Sequence, residues 1–299
     1  MQLRLLMVAA VAAALVGCGG GGGSSTTSAA LPTITIGTKN FTEQYILGEL
    51  YAQTLRKAGF RVNLKSDIGS SEIIDKALTA GSLDMYPEYT GVLLTEIAGD
   101  RRRPRTGGEA YTRAKAFEEK RGFTLLGRTP FSDSNALAVL PAFARKHNLN
   151  SISDLRNVHG LKLGALPEFQ TRFEGSVGLK SLYGVDKFHF VPLQFPARYA
   201  TLDKKKIDVL AVFTTEGQLS ASRYQVLSDP RNLFAFQNLA PVIRRDLARK
   251  YGKQLTGPLD SVSRRLTTDT MRRMNAAVDL KGEKPAAVAA RFIKTGAPD

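Results

Sequence analysis

From residue 32 onward, short runs that alternate apolar and polar residues give way to longer runs whose apolar residues recur every three to four positions. Alternation over Thr33–Gly37, and again at Phe60, Val62 and Leu64, predicts two strands. Between them a helix is expected to start near Asn40, with Glu43 three residues on in a capping-box pattern and Gly59 as its stop. A helix over Ser71–Ala80, closed by Gly81, and a short strand over Leu83–Tyr86 come next. Further β-like runs cover Leu125–Leu126, Ala136–Leu140, Leu161–Ala165, Phe188–Val191, Ile207–Phe213 and Pro241–Ile243. The stretch 268–294 reads as helix, interrupted around 282–285. Strands alternating with helices predict an α/β fold with mostly parallel sheets, in two lobes rather than one sheet of ten or more strands. A cleft between two such lobes gathers ligand groups at the carboxyl ends of strands and at helix N-termini. No internal repeat is visible.

The N-terminus breaks this pattern. After Arg4, an apolar run from Leu5 to Val16 is too short to span a bilayer and suits a secretory leader. It ends in Leu15-Val16-Gly17-Cys18, which resembles the bacterial lipobox, so residues 1–17 are expected to be removed and Cys18 lipidated. Residues 18–31 continue as a flexible tether, rich in Gly, Ser, Thr and Ala. The implied location is extracytoplasmic, anchored by lipid to the cell membrane, and periplasmic if the cell has two membranes.

Composition sharpens the reading mainly by exclusion. With 299 residues, 43% of them hydrophobic, the chain can bury one large or two medium cores. Its formal charge is +15, a balance that suits nucleic acid or the vicinity of an anionic bilayer, and a secreted protein points to the second. Cys18 is the only cysteine, so once lipidated it leaves no thiol for a disulfide or a thiolate metal site. His147, His159 and His189 have no metal-ligand spacing. No glycine-rich loop of phosphate-binding spacing follows a strand, and no cofactor is expected. Glu88 and Glu216 could be imagined as an acid/base pair, but no nucleophile accompanies them. Glu88 more readily orders the turn around Tyr89. Arg101, Arg102, Arg103 and Arg105 form one dense basic run among Pro104, Gly107 and Gly108. This is an exposed loop without the interleaved aromatics of a single-strand binder.

The segment IGTKNFTEQYILGEL from Ile36, with LDMYPEYTG from Leu83, resembles the glycine betaine/carnitine/choline-binding proteins of ABC transporters. ALPEFQTRFEG from Ala165, KKIDVLAVFTTEG from Lys205 and NLAPVIR from Asn238 extend the likeness, in the family's order, over nearly all of the chain after the tether. The resemblance implies a two-lobed periplasmic-binding-protein fold of type II-like form, with the ligand cleft between the lobes. Lobe one would be 32–134 plus 238–299, and lobe two 135–237. The implied function is an osmoprotectant-binding protein that closes on a small solute and hands it to an ABC permease. ATP would be hydrolysed by a separate subunit, and the binding protein would do no chemistry and work as a monomer. A sensory protein of the same fold is the alternative, and an enzyme is disfavoured.

The family's site combines an aromatic cage for a methylated ammonium with basic residues for the ligand carboxylate. Matching positions here are Lys39, followed by Asn40 at a helix N-terminus, and Arg172, suited to gripping a carboxylate bidentately. Tyr89 matches a cage tyrosine, whereas Tyr86 is read as core. Elsewhere the pattern departs: Asn135, Phe213 and Gln237 stand where tyrosines are expected, and Val92 replaces a polar residue. Two lost rings forfeit roughly 1–4 kcal/mol at about 0.5–2 kcal/mol each, or about five-fold to a thousand-fold in affinity. Three readings stay open: a different ligand with polar groups in place of the methyls, a weak betaine binder, or a shift of register that puts Phe236 in the place of Gln237.

Overall fold

The computed structural model describes residues 31–220, 223–234 and 236–296. The leader, Cys18 and the tether up to residue 30 lie outside these. Strands β1 (Thr33–Gly37), β2 (Arg61–Lys65), β3 (Met85–Tyr89) and β4 (Phe123–Leu125) precede β5 (Asn135–Val139), β6 (Leu161–Ala165), β7 (Phe188–Pro192), β8 (Val209–Phe213) and β9 (Gln225–Val226), and β10 (Leu239–Arg244) comes last. They form two sheets, ordered β2-β1-β3-β10-β4 and β7-β6-β8-β5-β9. Helices α1 (Thr42–Lys57), α2 (Ser71–Thr79), α3 (Thr90–Val92), α4 (Gly107–Lys120), α5 (Pro141–His147), α6 (Ala197–Asp203), α7 (Arg245–Ser263), α8 (Thr268–Asp279) and α9 (Pro285–Thr295) lie between and after the strands.

The two sheets share one layout. In each, a single strand runs against the others: β10 in the first lobe and β5 in the second. These are the strands by which the chain enters each lobe from the other. Strands joined through a helix within a lobe return parallel, as β1 does with β2 and β6 with β7. The expectation of mostly parallel sheets is therefore corrected. Pairing is mixed, because two crossings between lobes each insert one reversed strand.

Two local expectations also change. β3 does not stop at Tyr86 but runs on through Pro87 and Glu88 to Tyr89. A proline in a central strand loses a ladder donor, but Pro87 faces Pro241 across the β3–β10 ladder, so the two missing donors fall at one position. Helix α1 starts at Thr42, and no capping box closes it. Its N-cap is Phe41, without a side-chain bond, and Glu43 turns its carboxylate elsewhere.

Central strands bury both faces, as expected of sheets covered on each side. On β10, Leu239 and Ile243 join the core under α1, α7, α8 and α9, while Ala240 and Val242 join the core under α2 and α4. On β8, Val209 and Ala211 face one core of the second lobe, and Leu210 and Val212 the other. Tyr86 is wholly buried in the α2–α4 core. The C-terminal helix is integral to the first lobe: Val288, Ala289 and Phe292 are fully buried in the core of Ile46, Leu47 and Leu50. Phe292→Ala is expected to lower the unfolding free energy by about 3–5 kcal/mol, read as a shifted urea-denaturation midpoint.

Candidate functional site

The two crossings run side by side. Ser132 and Asn238 form an antiparallel bridge, and the Asp133 N–H donates to the Gln237 carbonyl at 3.0 Å. Around them the ends of several strands converge. Lys39 and Asn40 follow β1, Tyr89 ends β3, Val92 lies in α3, and Arg172 lies in the turn after β6. Asn135 and Phe213 stand directly opposite each other in the β5–β8 ladder. With Gln237 on the second crossing, all eight residues singled out from the sequence line one interlobe cavity of about 40 Å³. That is room for a few waters.

The cavity's cations are already engaged. Lys39 is buried, and its Nζ lies 2.5 Å from Glu88 Oε1 and 4.3 Å from the centroid of the Tyr89 ring. Burial lowers its pKa, opposed by Glu88. The Tyr89 N–H donates to the same Glu88 oxygen at 2.7 Å. Arg172, from the second lobe, grips Glu72 of the first lobe through Nε at 3.2 Å and Nη2 at 2.9 Å. Burial pushes the Glu72 carboxyl up, but the hydrogen bonds and charge of Arg172 hold it down at about 2. Gln237 is also committed: its Oε1 accepts the Val92 N–H at 3.0 Å and its Nε2 donates to Glu174. Its amide ties the second crossing to both lobes. Asn135, like Asn40, makes no side-chain hydrogen bond to another described residue.

Behind Tyr89, three acidic and hydroxyl groups meet. Glu43 Oε1 accepts from the Tyr89 hydroxyl at 2.7 Å, and Glu43 Oε2 lies 2.6 Å from Thr215 Oγ1. Thr215 Oγ1 is also 2.6 Å from Asp133 Oδ1. One hydroxyl has one hydrogen and cannot donate to both carboxyls. One of the two acids therefore carries a proton, and burial raises the pKa of each. Asn275 of α8 donates to Glu43 and to the Thr215 carbonyl, and Arg272 donates to the Thr214 carbonyl at 2.7 Å. These bonds latch the first lobe onto the second.

Sequence reasoning missed the residue at the centre. Phe41 stacks on Tyr89, Phe195 and Phe213 with centroids 6.4, 6.1 and 5.4 Å apart. It divides the cavity above from a second one of about 130 Å³, to which Phe195, Arg198, Tyr199 and Asn275 contribute. Buried Arg198 pairs with Glu216 at 2.5 Å and lies 4.7 and 5.5 Å from the Phe195 and Phe213 centroids. Phe41 sits inside the Lys-Asn-Phe-Thr-Glu stretch, two residues after Lys39, and its place at a helix start was the available signal. Nothing local marks Phe195 or Asn275. The basic run at Arg101–Arg105 is exposed apart from Pro104. No group of three His, Cys, Asp or Glu among the described residues could hold a metal, and no helix among them is long and apolar enough to cross a membrane.

Two α/β lobes, joined by paired crossings around a cleft walled from both sides, define a solute-binding protein that closes on its ligand. A family profile described as the substrate binding domain of the ABC-type glycine betaine transport system matches residues 32–295, and the chain belongs to that family. It is an extracytoplasmic binding protein that delivers a small solute to an importer's permease, and not an enzyme. A glycine-betaine-binding protein of Pseudomonas aeruginosa is 31% identical over 281 residues, 89% of this chain and 88% of that one. An ergothioneine transport permease/ergothioneine binding protein of Helicobacter pylori is 29% identical over 267 residues, 87% of this chain but 47% of that longer one. A crystal structure of a glycine betaine/carnitine/choline ABC transporter protein superposes with a TM-score of 0.70 at 26% identity, covering 87% of this chain and 97% of that one.

The buried acids give stability a pH dependence. Burial, aided by Glu96, pushes Glu174 from its ordinary 4.5 to about 8, so the folded protein holds a proton that the unfolded chain releases. Stability from this group is complete below about 4.5 and is lost as pH rises through about 8. The melting temperature is expected to fall across that window. Glu174→Gln, which keeps an acceptor for Gln237 without the charge, should flatten the profile and raise stability at the alkaline end.

Proposed function

We propose that this chain captures a quaternary-ammonium zwitterion of the glycine betaine type by closing its two lobes, with lobe one taken as 32–134 plus 238–299 and lobe two as 135–237. It does so as a monomer held at the membrane by lipid on Cys18. The convergence of Tyr89, Phe41 and Phe213 rings with Lys39 and Arg172 in one interlobe cavity carries this reading. Ring faces attract a methylated ammonium. The Lys39 ammonium lies over the Tyr89 ring, where such a cation would sit. The ligand's carboxylate goes to Arg172 by displacing Glu72, whose side chain is 39% exposed, whereas Glu88 has no exposed surface and stays with Lys39. Binding is then an exchange of internal partners for ligand, and the closed population rises with the difference.

The spent amide of Gln237 argues against a ligand that needs polar groups at that position, and leaves Asn135 as the polar substitution still open to solute. Isothermal titration with glycine betaine, carnitine and choline tests the proposal: micromolar or tighter binding to any of them supports it, and no binding to all three refutes it. Arg172→Ala should weaken glycine betaine by about ten- to a hundredfold, as expected for loss of a charged hydrogen bond. Choline, which has no carboxylate, should lose less, because for it Arg172 serves only to link the lobes through Glu72.

Closure itself is open to a separate test. Gly217 of the second lobe packs on α8 of the first, and a Cβ there would lie 2.5 Å from the Ala276 Cα. Gly217→Ala should wedge the lobes apart at an overpacking cost of about 1–3 kcal/mol. Affinity for every ligand should drop about five- to a hundredfold, while circular dichroism stays unchanged and the small-angle scattering radius increases.

A further inference from the structure

We infer that the first lobe carries an exposed basic face, at the point where the chain enters the fold, that lies against the anionic headgroups of the membrane holding the anchor. This rests on the lipid-anchor reading above and adds to it a second, electrostatic contact. Leu31 packs against the core of the first lobe, and a Cβ on Gly59 would lie 3.5 Å from its Cδ1. The chain therefore enters the fold beside the turn between α1 and β2. Arg56 and Lys57 end α1, Arg61 opens β2, and all three are exposed. Between them, Phe60 meets the Tyr251 ring of α7 edge-on with centroids 5.7 Å apart, and Lys250 Nζ lies 5.3 Å from the centroid of that same tyrosine. Arg249, Lys250 and Lys253 are exposed as well. Helix α1, strand β2 and helix α7 thus gather six cations around one entry point.

These cations are not neutralised from within. None of the six pairs with a carboxylate among the described residues, and Arg56 donates only to the Val62 carbonyl, at 3.3 Å. No aspartate or glutamate occurs in 56–65 or in 247–259, so the patch has one sign. The denser run at Arg101–Arg105 differs in this respect. Arg102 is bound by Asp100, Arg103 donates to the Arg231 carbonyl of the second lobe, and Arg101 lies 5.8 Å from the Phe173 centroid. Those guanidiniums are engaged inside the molecule. Position then selects the occupant of the free face. Leu31 follows Cys18 by thirteen residues, and a chain spans at most about 3.5 Å per residue, so a lipid on Cys18 holds this face within about 45 Å of the bilayer. Headgroups are therefore the anions always within its reach, at a high local concentration. Each basic residue beside an anionic surface adds about fivefold to the bound population.

Lysine acetylation of the processed, lipidated protein, held in vesicles of phosphatidylcholine with or without phosphatidylglycerol, tests this. Phosphatidylglycerol is expected to slow acetylation of Lys57, Lys250 and Lys253 about fivefold. Lys204, Lys205 and Lys206, exposed on the second lobe, should change by less than about twofold. Molar salt should abolish the protection, because it screens exposed charges. Replacing Arg249, Lys250 and Lys253 together by Gln should restore the reactivity of Lys57. The same loss of charge through Lys204→Gln, Lys205→Gln and Lys206→Gln should leave Lys57 protected. Equal protection of both lysine groups, no protection of either on vesicle-bound protein, or equal effects of the two triple variants would overturn the basic face while the anchor stands. Failure to sediment with neutral vesicles would instead refute the lipid on Cys18, and this inference with it.

Discussion

A charge taken out of water must meet a partner as it goes, and the cleft is organised by that requirement. Closing two lobes over Lys39, Arg172 and Arg198 buries three cations, and each has a carboxylate waiting: Glu88, Glu72 and Glu216. The carboxylates that lack a cation solve the problem differently. Glu43 and Asp133 share a single hydroxyl on Thr215, which forces a proton onto one of them. The Arg172 and Thr215 links span the two lobes, so they hold the cleft shut as well as neutralising it. A ligand therefore competes with partners already in place, and affinity is the difference between two satisfied states.

The aromatic residues follow the same logic. Lys39 lies over Tyr89 and Arg198 over Phe195 and Phe213, so the ring faces carry internal cations. Phe41 ties these rings into one stack from a helix start that no side chain caps. The sequence pattern is poorer in rings than an ammonium cage needs only when the expected tyrosine positions alone are counted. Asn135 and Gln237 are not rings, yet Phe41 and Phe195 bring aromatic surface from elsewhere in the chain.

How much was legible in advance differs by kind of residue. Strand and helix positions followed from apolar periodicity, because burial on one or two faces imposes a period on the chain itself. The limits of β3 did not. Pro87 ends a strand by local rules, and only Pro241, far along the chain and facing it, makes its place in a central strand tolerable. The eight site residues found from motif likeness do converge on one cavity, since strand ends and the turns after them fall in one cleft in this fold. Their partners were hidden. Nothing near Arg172 in the chain announces Glu72, and nothing near Gln237 announces Glu174.

By itself the sequence determined the alternating α/β elements, because those follow from local propensity and periodicity, and its likeness to a known family marked the residues that meet at the cleft. Only the tertiary structure decided which charges cancel, where a proton is held, that Gln237 is a strut, and that Phe41 divides two chambers. Those outcomes depend on distances between residues tens to hundreds of positions apart, such as Arg172 and Glu72 or Asn275 and Glu43. In a desolvated cleft, a shift of an ångström changes which partner a charged group must take.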